Sequence, residues 1–205
     1  MSRGFDTTGD CTPHGQEILD AGYTFVARYY CEGSRIPTKC LTPAEAAHLS
    51  GMGIYLVSVW ETIGDHPEYF THDQGQHDAQ VALQIAENVG QPKGTPIYFA
   101  VDYDASVTDG RVQSYFQGVR DCFQEAGPID ENNYFVGVYG SGATCQHLTQ
   151  IGFVSYTWLA VATGWGGYDA WKDQANLVQG SEITLFGMDC DENTSNGDAG
   201  GWKIA

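Results

Sequence analysis

Basic side chains are scarce. Lys and Arg total 9 against 26 Asp and Glu in 205 residues, a formal net charge of −17. Nucleic acid and anionic membrane surfaces are bound through basic footprints, so neither is expected as a partner. No apolar run reaches the roughly 18 residues that a membrane-crossing helix needs. The opening Met1-Ser2-Arg3-Gly4-Phe5-Asp6 has no apolar signal-peptide core and enters a strand-like segment at once. Localisation therefore stays open between the cytoplasm, export without a cleaved leader, and a piece of something larger. There is no C-x-x-C pair, no Gly-x-Ser-x-Gly elbow and no Gly-rich loop ending in Lys. The usual structural zinc, serine-hydrolase and nucleotide-phosphate sites drop out with them, and no metal or cofactor is expected.

Aromatic residues, by contrast, are abundant, with 12 Tyr, 9 Phe and 5 Trp, and 42% of the chain is hydrophobic. A disordered acidic tail would be poor in aromatics. Such a composition fits a secreted or carbohydrate-acting protein, and many ordinary enzymes besides. No low-complexity linker or shift in composition divides the chain, so residues 1–205 read as one domain, expected to be monomeric. Six cysteines are spread along it. Cys31 and Cys40 flank one loop and could close a disulfide; otherwise all six suit small buried apolar positions.

β-Branched and aromatic runs at Gly4–Asp6, Thr24–Tyr30, Ile54–Glu61, Thr95–Asp104 and Phe135–Tyr139 alternate with helical patterns. Thr42-Pro43-Ala44-Glu45 is a capping box with Pro at the first helical position, and its helix stops near Gly51-Met52-Gly53. Ala79, Ala82, Leu83 and Ala86 share one face of an Asp73–Val89 helix. Val112, Tyr115, Phe116, Val119 and Phe123 form a second stripe, and a shorter helix follows Ser141. Thr157–Ala162, Leu177–Gln179 and Leu185–Cys190 read as strands, but the last gap is too short for a crossover helix. The fold class expected is α/β: a small TIM-like barrel of eight strands, the first five followed by helices and the last three not.

Barrel sites lie at the C-terminal ends of the strands, and there the acids gather. On Pro96–Asp104 the residues Ile97, Phe99, Val101 and Tyr103 suit a face under helices. Tyr98, Ala100, Asp102 and Asp104 then point into the barrel. Residues two apart on a strand have Cα atoms roughly 6.5–7 Å apart, compatible with either stereochemical course of glycoside hydrolysis. Asp6 ends the first strand, Glu61 the third, and Asp189 and Asp191 the last. Crowded carboxyls raise one another's pKa, which suits a general acid. Asp102, Asp104, Glu61 and Asp6 are the catalytic candidates. Arg28, as a counter-charge, together with Tyr30, Trp60, Tyr139, Gln179 and Asp189, is assigned to substrate binding.

Four segments carry a resemblance: Gly4-Phe5-Asp6, Val57-Ser58-Val59-Trp60-Glu61, Gly75-Gln76-His77-Asp78-Ala79, and Ile97 through Asp104. With Leu177-Val178-Gln179 and Gly187-Met188-Asp189 they resemble the glycoside hydrolase-like domain family related to family 25 lysozymes, from about residue 3 to residue 193. The resemblance implies a flattened barrel of eight strands and five helices, with an acidic groove for a glycan, peptidoglycan foremost. Family 25 lysozymes carry Asp-x-Glu on the fourth strand, the Glu being the acid. Here Asp104 stands in its place, one methylene shorter. Either Glu61 supplies the acid, or Asp104 does, or the domain binds glycan without cleaving it. An intracellular hydrolase of another oligosaccharide is the further alternative.

Other motifs carry less. Asp189-Cys190-Asp191-Glu192-Asn193 opens like a calcium loop but lacks Gly at position six and Glu at twelve. His66, His72 and His77 suit capping and surface roles. Asn193-Thr194-Ser195 fits a glycosylation acceptor, a pattern too common to use. Trp165, Tyr168 and Trp171 could stack on sugar faces or complete the core where helices are missing.

Overall fold

The computed structural model describes residues 1–204. Eight strands close one barrel in chain order: β1 (Arg3–Thr7), β2 (Phe25–Tyr30), β3 (Tyr55–Trp60), β4 (Pro96–Ala100), β5 (Phe135–Gly140), β6 (Tyr156–Leu159), β7 (Leu177–Leu185) and β8 (Met188–Ser195). β1 to β7 pair in parallel. β8 runs antiparallel to both β7 and β1 and closes the barrel. The first five strands are followed by α1 (Gly15–Asp20), α2 (Pro43–Gly51), α3 (His72–Val89), α4 (Arg111–Ala126) and α5 (Gly142–Gln150). Thr42 caps α2 as its capping box implies, its Oγ1 accepting from the Glu45 amide at 3.1 Å.

Three expectations are corrected. β6 does have a helix after it, the single turn α6 (Tyr168–Trp171), on the way to a parallel neighbour. The run Leu185–Cys190 is not one strand, because the chain reverses at Phe186-Gly187. Both residues have positive φ (54° and 79°), the geometry of a two-residue hairpin turn. An apolar run through a turn without Asn-Gly or Asp-Gly reads as strand, and Phe in the left-handed region gives no local warning. β4 also stops at Ala100, four residues early. Beyond it the Asp102 amide donates to the Gly64 carbonyl (2.7 Å) rather than to a sheet neighbour.

Side-chain alternation divides the core into two layers. Phe25, Ala27, Val57, Val59, Tyr98, Ala100, Trp158 and Leu177 fill the barrel. Val26, Tyr30, Leu56, Trp60, Ile97 and Phe99 face the helices. The interior mixes bulk with absence of bulk: a Cβ at Gly137 would lie 2.7 Å from the Tyr98 ring, and one at Gly4 would lie 2.3 Å from Phe25. Outside the barrel, α3 and α4 meet through paired glycines. A Cβ at Gly75 would lie 2.0 Å from the Tyr115 carbonyl oxygen, and one at Gly118 2.0 Å from that of His72. Beside them Asp78 is buried and accepts from Tyr115 (2.6 Å) and Tyr69 (2.7 Å), which satisfies its carboxylate.

Candidate active site

The interior layer ends at the C-terminal rim in a cavity of about 110 Å³. Asp6, Glu61, Asp102 and Asp191 contribute carboxyls to its wall, with Tyr29, Tyr139, Trp158 and Gln179 between them. The antiparallel course of β8 is what adds Asp191. The start of that strand lies where β1 ends, and Asp191 sits directly across from Asp6 in the ladder. Gln179 on β7 joins the two, its Nε2 lying 3.3 Å from Asp6 Oδ2 and 3.4 Å from Asp191 Oδ2. Its Oε1 accepts from the Tyr139 hydroxyl at 2.8 Å and from the Val161 amide at 3.2 Å. The Gln179 side chain is thereby locked across the floor.

Asp6 is buried, and burial is the main cause that lifts its pKa to about 7. Hydrogen bonds from Asn193 (2.7 Å), Tyr29 (3.0 Å) and Gln179 oppose that rise, and the charge of Asp191 adds to it. Asp102 and Asp191 are also raised, first by burial and then by a neighbouring carboxylate, Glu61 for Asp102 and Glu182 for Asp191. Glu61 is ion-paired with Lys39, Nζ to Oε2 at 2.8 Å. Burial pushes the Tyr29 and Tyr139 phenols up, so both stay neutral hydrogen-bonding groups. The cavity thus sets carboxyls whose pKa values are raised by burial beside one that faces a cation. That is the division of roles needed for general acid chemistry beside a developing positive charge. Among the described residues no three His, Cys, Asp or Glu stand where they would hold a metal ion.

Asp6, Glu61, Asp102, Tyr139 and Gln179, all selected from sequence, meet here. Five other selections do not. Arg28, Tyr30 and Trp60 point the other way, into the helix layer, because odd-numbered residues of β2 and β3 face the barrel interior. Arg28 is fully buried there and pairs with Glu45 of α2, Nε to Oε1 at 2.8 Å and Nη2 to Oε2 at 3.2 Å. Tyr30 donates to Gln91 at 2.6 Å, and Trp60 packs in the outer core. Asp104 lies beyond the end of β4, exposed, and accepts from the Gly166 amide at 2.9 Å. Asp189 is exposed and lines an adjoining cleft that shares Asp6, Tyr29 and Asp191 with the cavity, its carbonyl accepting from Thr7 Oγ1 at 2.7 Å.

Tyr29, Trp158, Lys39 and Asn193 escaped sequence selection. The alternation Phe25, Ala27, Tyr29 matches the aromatic and small pattern of Tyr98 and Ala100, and that match was the available signal for Tyr29. The lone cation Arg28 drew attention to the opposite face. Asn193 is buried against Asp6 rather than displayed as a glycosylation acceptor. Trp171 is buried, its Nε1 donating to Thr157 at 3.2 Å, and Tyr168 packs on the core, so both complete the fold. The open possibility at Cys31 and Cys40 is resolved as a disulfide, while Cys11, Cys122, Cys145 and Cys190 are free thiols.

The chain and its fold are similar to known proteins. The chain is 34% identical over 161 residues to YbfG of Bacillus subtilis, a match covering 74% of this chain and 22% of that protein. It therefore spans about a quarter of the length of the curated relatives it matches. Its fold is similar to that of the Tat-secreted protein Rv2525c of Mycobacterium tuberculosis, with a TM-score of 0.81, 22% identity and 98% of each chain covered. It is also similar to the modular autolysin LytC of Streptococcus pneumoniae, with a TM-score of 0.61, 14% identity, and 94% of this chain and 46% of that one covered. A family model matches residues 16–194, and the chain belongs to the Rv2525c-like, glycoside hydrolase-like domain family.

Proposed function

We propose that the protein is a glycosidase of lysozyme type that cleaves peptidoglycan or a closely similar glycan. The observation that supports this reading is the convergence of Asp6, Glu61, Asp102 and Asp191 from four strands on one cavity at the rim where barrel enzymes place their chemistry. Asp102 is the general acid. Burial and the neighbouring Glu61 raise its pKa, the direction that favours donating a proton to the leaving glycosidic oxygen. Glu61, ion-paired with Lys39 at 2.8 Å, faces the positive charge that develops at the anomeric carbon. Asp6, Tyr139 and Gln179 form a hydrogen-bonding floor that orients the sugar. Asp104 takes no part in proton transfer and ties the rim loop through Gly166. The Cys31–Cys40 disulfide suits action outside the reducing cytoplasm, and Rv2525c, of like fold, is Tat-secreted.

A second reading is a glycan-binding module that has lost turnover. It is favoured by Asp104, which occupies the position of the family 25 acid yet points away from the cavity. One experiment separates the two. Purified peptidoglycan is incubated with the protein, with Asp102→Asn and with Glu61→Gln, and new reducing ends are counted. The glycosidase reading expects both variants to lose about a hundredfold or more in rate. Equal turnover in all three would sink it. Saturable binding without any reducing ends would establish the second reading instead.

A further inference from the structure

We infer that the strap Cys31–Cys40 is a working part of the cavity: it delivers Lys39 as the cation facing Glu61, so that Lys39 is a positioning residue for the proposed reaction. The inference rests on the glycosidase reading for its consequence, but its geometry stands apart from it. The strap leaves β2 at the rim and returns to α2, and it is fastened at its ends. The disulfide joins its two ends. Cys40 forms a parallel bridge with Tyr29, and the Leu41 amide donates to the Tyr29 carbonyl at 2.9 Å. Near its end the Thr38 carbonyl accepts from Arg28 Nη2 at 2.7 Å.

That last contact gives Arg28 a purpose. A guanidinium with no exposure is costly unless every donor is used. Arg28 spends its donors on Glu45 of α2, on the Thr7 carbonyl ending β1, and on Thr38 of the strap. One buried cation thus ties the end of β1, the first turn of α2 and the strap into a fixed relation. Lys39 follows Thr38 directly. Its ammonium lies 2.8 Å from Glu61 Oε2 and 4.8 Å from the centroid of the Tyr29 ring, and its side chain is 15% exposed. Ordinary surface ion pairs contribute little, because holding two long side chains together costs entropy. Here the backbone on both sides of Lys39 is already immobilised, so much of that cost is met by the strap.

The groups facing Glu61 are Lys39 from the strap, Asp102 after β4, Tyr29 on β2 and Tyr139 on β5; Asp65 acts on Asp102 from the β3–α3 loop. Removing the ammonium leaves the Glu61 charge uncompensated beside Asp102. Asp102 then holds its proton more tightly.

The test compares the parent with Lys39→Met, Lys39→Arg and the double variant Cys31→Ser/Cys40→Ser. Two readouts are used: the titration of the Asp102 carboxyl by carbon-13 NMR, and the pH profile of kcat/KM on purified peptidoglycan. Lys39→Met should raise the Asp102 titration by about half a pH unit or more. The alkaline limb of the rate profile, which reports the general acid, should move up with it. kcat should fall more than KM rises. Lys39→Arg should restore the parent titration. The double serine variant, folded by near-ultraviolet circular dichroism, should shift Asp102 in the same direction as Lys39→Met by a smaller amount. An Asp102 titration unmoved in Lys39→Met, or moved equally in Lys39→Arg, would overturn the inference. If the parent releases no reducing ends, the glycosidase reading fails, while the NMR titration still decides the placement of Lys39.

Discussion

Asp6 links the chemistry of the cavity to the stability of the fold. Unfolded, its carboxyl titrates near its ordinary value of 3.8; folded, it is buried and titrates at about 7. Between those values the native protein binds a proton that the unfolded chain has released. Stability attributable to Asp6 is therefore full below about pH 4 and falls as the pH rises through the window up to 7. Asp6→Asn removes that slope, since its amide does not ionise. In urea unfolding from pH 4 to pH 8, the stability of Asp6→Asn relative to the parent should rise across this window and level off above it. Parallel curves would mean that Asp6 is ionised in the folded state throughout. The same residue shows what periodicity reveals at this scale. Its place at the end of a strand marked it as a rim acid, but its partners Asn193 and Gln179 come from strands at the far end of the chain.

Among the elements, the tightest joint is between α3 and α4. Their helical stripes were legible from Ala79, Ala82 and Ala86 and from Val112, Tyr115 and Val119, since a 3.6-residue period needs only one face to be apolar. The glycines that let the two backbones touch were not legible, because a small residue within a helix signals close approach only once the neighbour is known. Gly75→Ala would drive its methyl into the Tyr115 carbonyl. A loss of about 1–3 kcal/mol in chemical denaturation is expected, as for other overpacked sites. Gly51 in α2 has no heavy atom within 4 Å of an added Cβ. Gly51→Ala should leave stability unchanged or raise it by up to about 1 kcal/mol. A Gly75→Ala variant no less stable than Gly51→Ala would show that close contact does not govern the α3–α4 joint. The hairpin joining β7 and β8 is the element the sequence concealed; both Asp189 and Asp191 were marked as rim acids, but only Asp189 was assigned to substrate binding, whereas Asp191 is the one in the cavity.

For the whole molecule, the net charge of −17 is partly explained by the four carboxyls of the cavity; the remaining acids leave a strongly negative body. Self-repulsion of that size weakens a compact state and is screened by salt. Raising sodium chloride from about 10 mM to about 0.5 M, where the Debye length falls from roughly 30 Å to a few ångströms, should raise the melting temperature. A melting temperature that falls with salt would mean that the ion pairs at Lys39 and Arg28 outweigh the repulsion.

The sequence by itself determined the barrel, the order of its first five strands and their helices, and the rim on which acids gather. Those follow from periodicity and from the length of each connection, which are local properties. Tertiary structure alone decided which acids share one cavity. Whether a side chain enters the barrel depends on the register and face of its strand, and a shift of one residue reverses both. Arg28 and Tyr29 are adjacent in the chain, yet one lies among the helices holding a strap and the other lines the cavity. Closure by an antiparallel β8 likewise brought Asp191 opposite Asp6, a neighbour that no local pattern specifies.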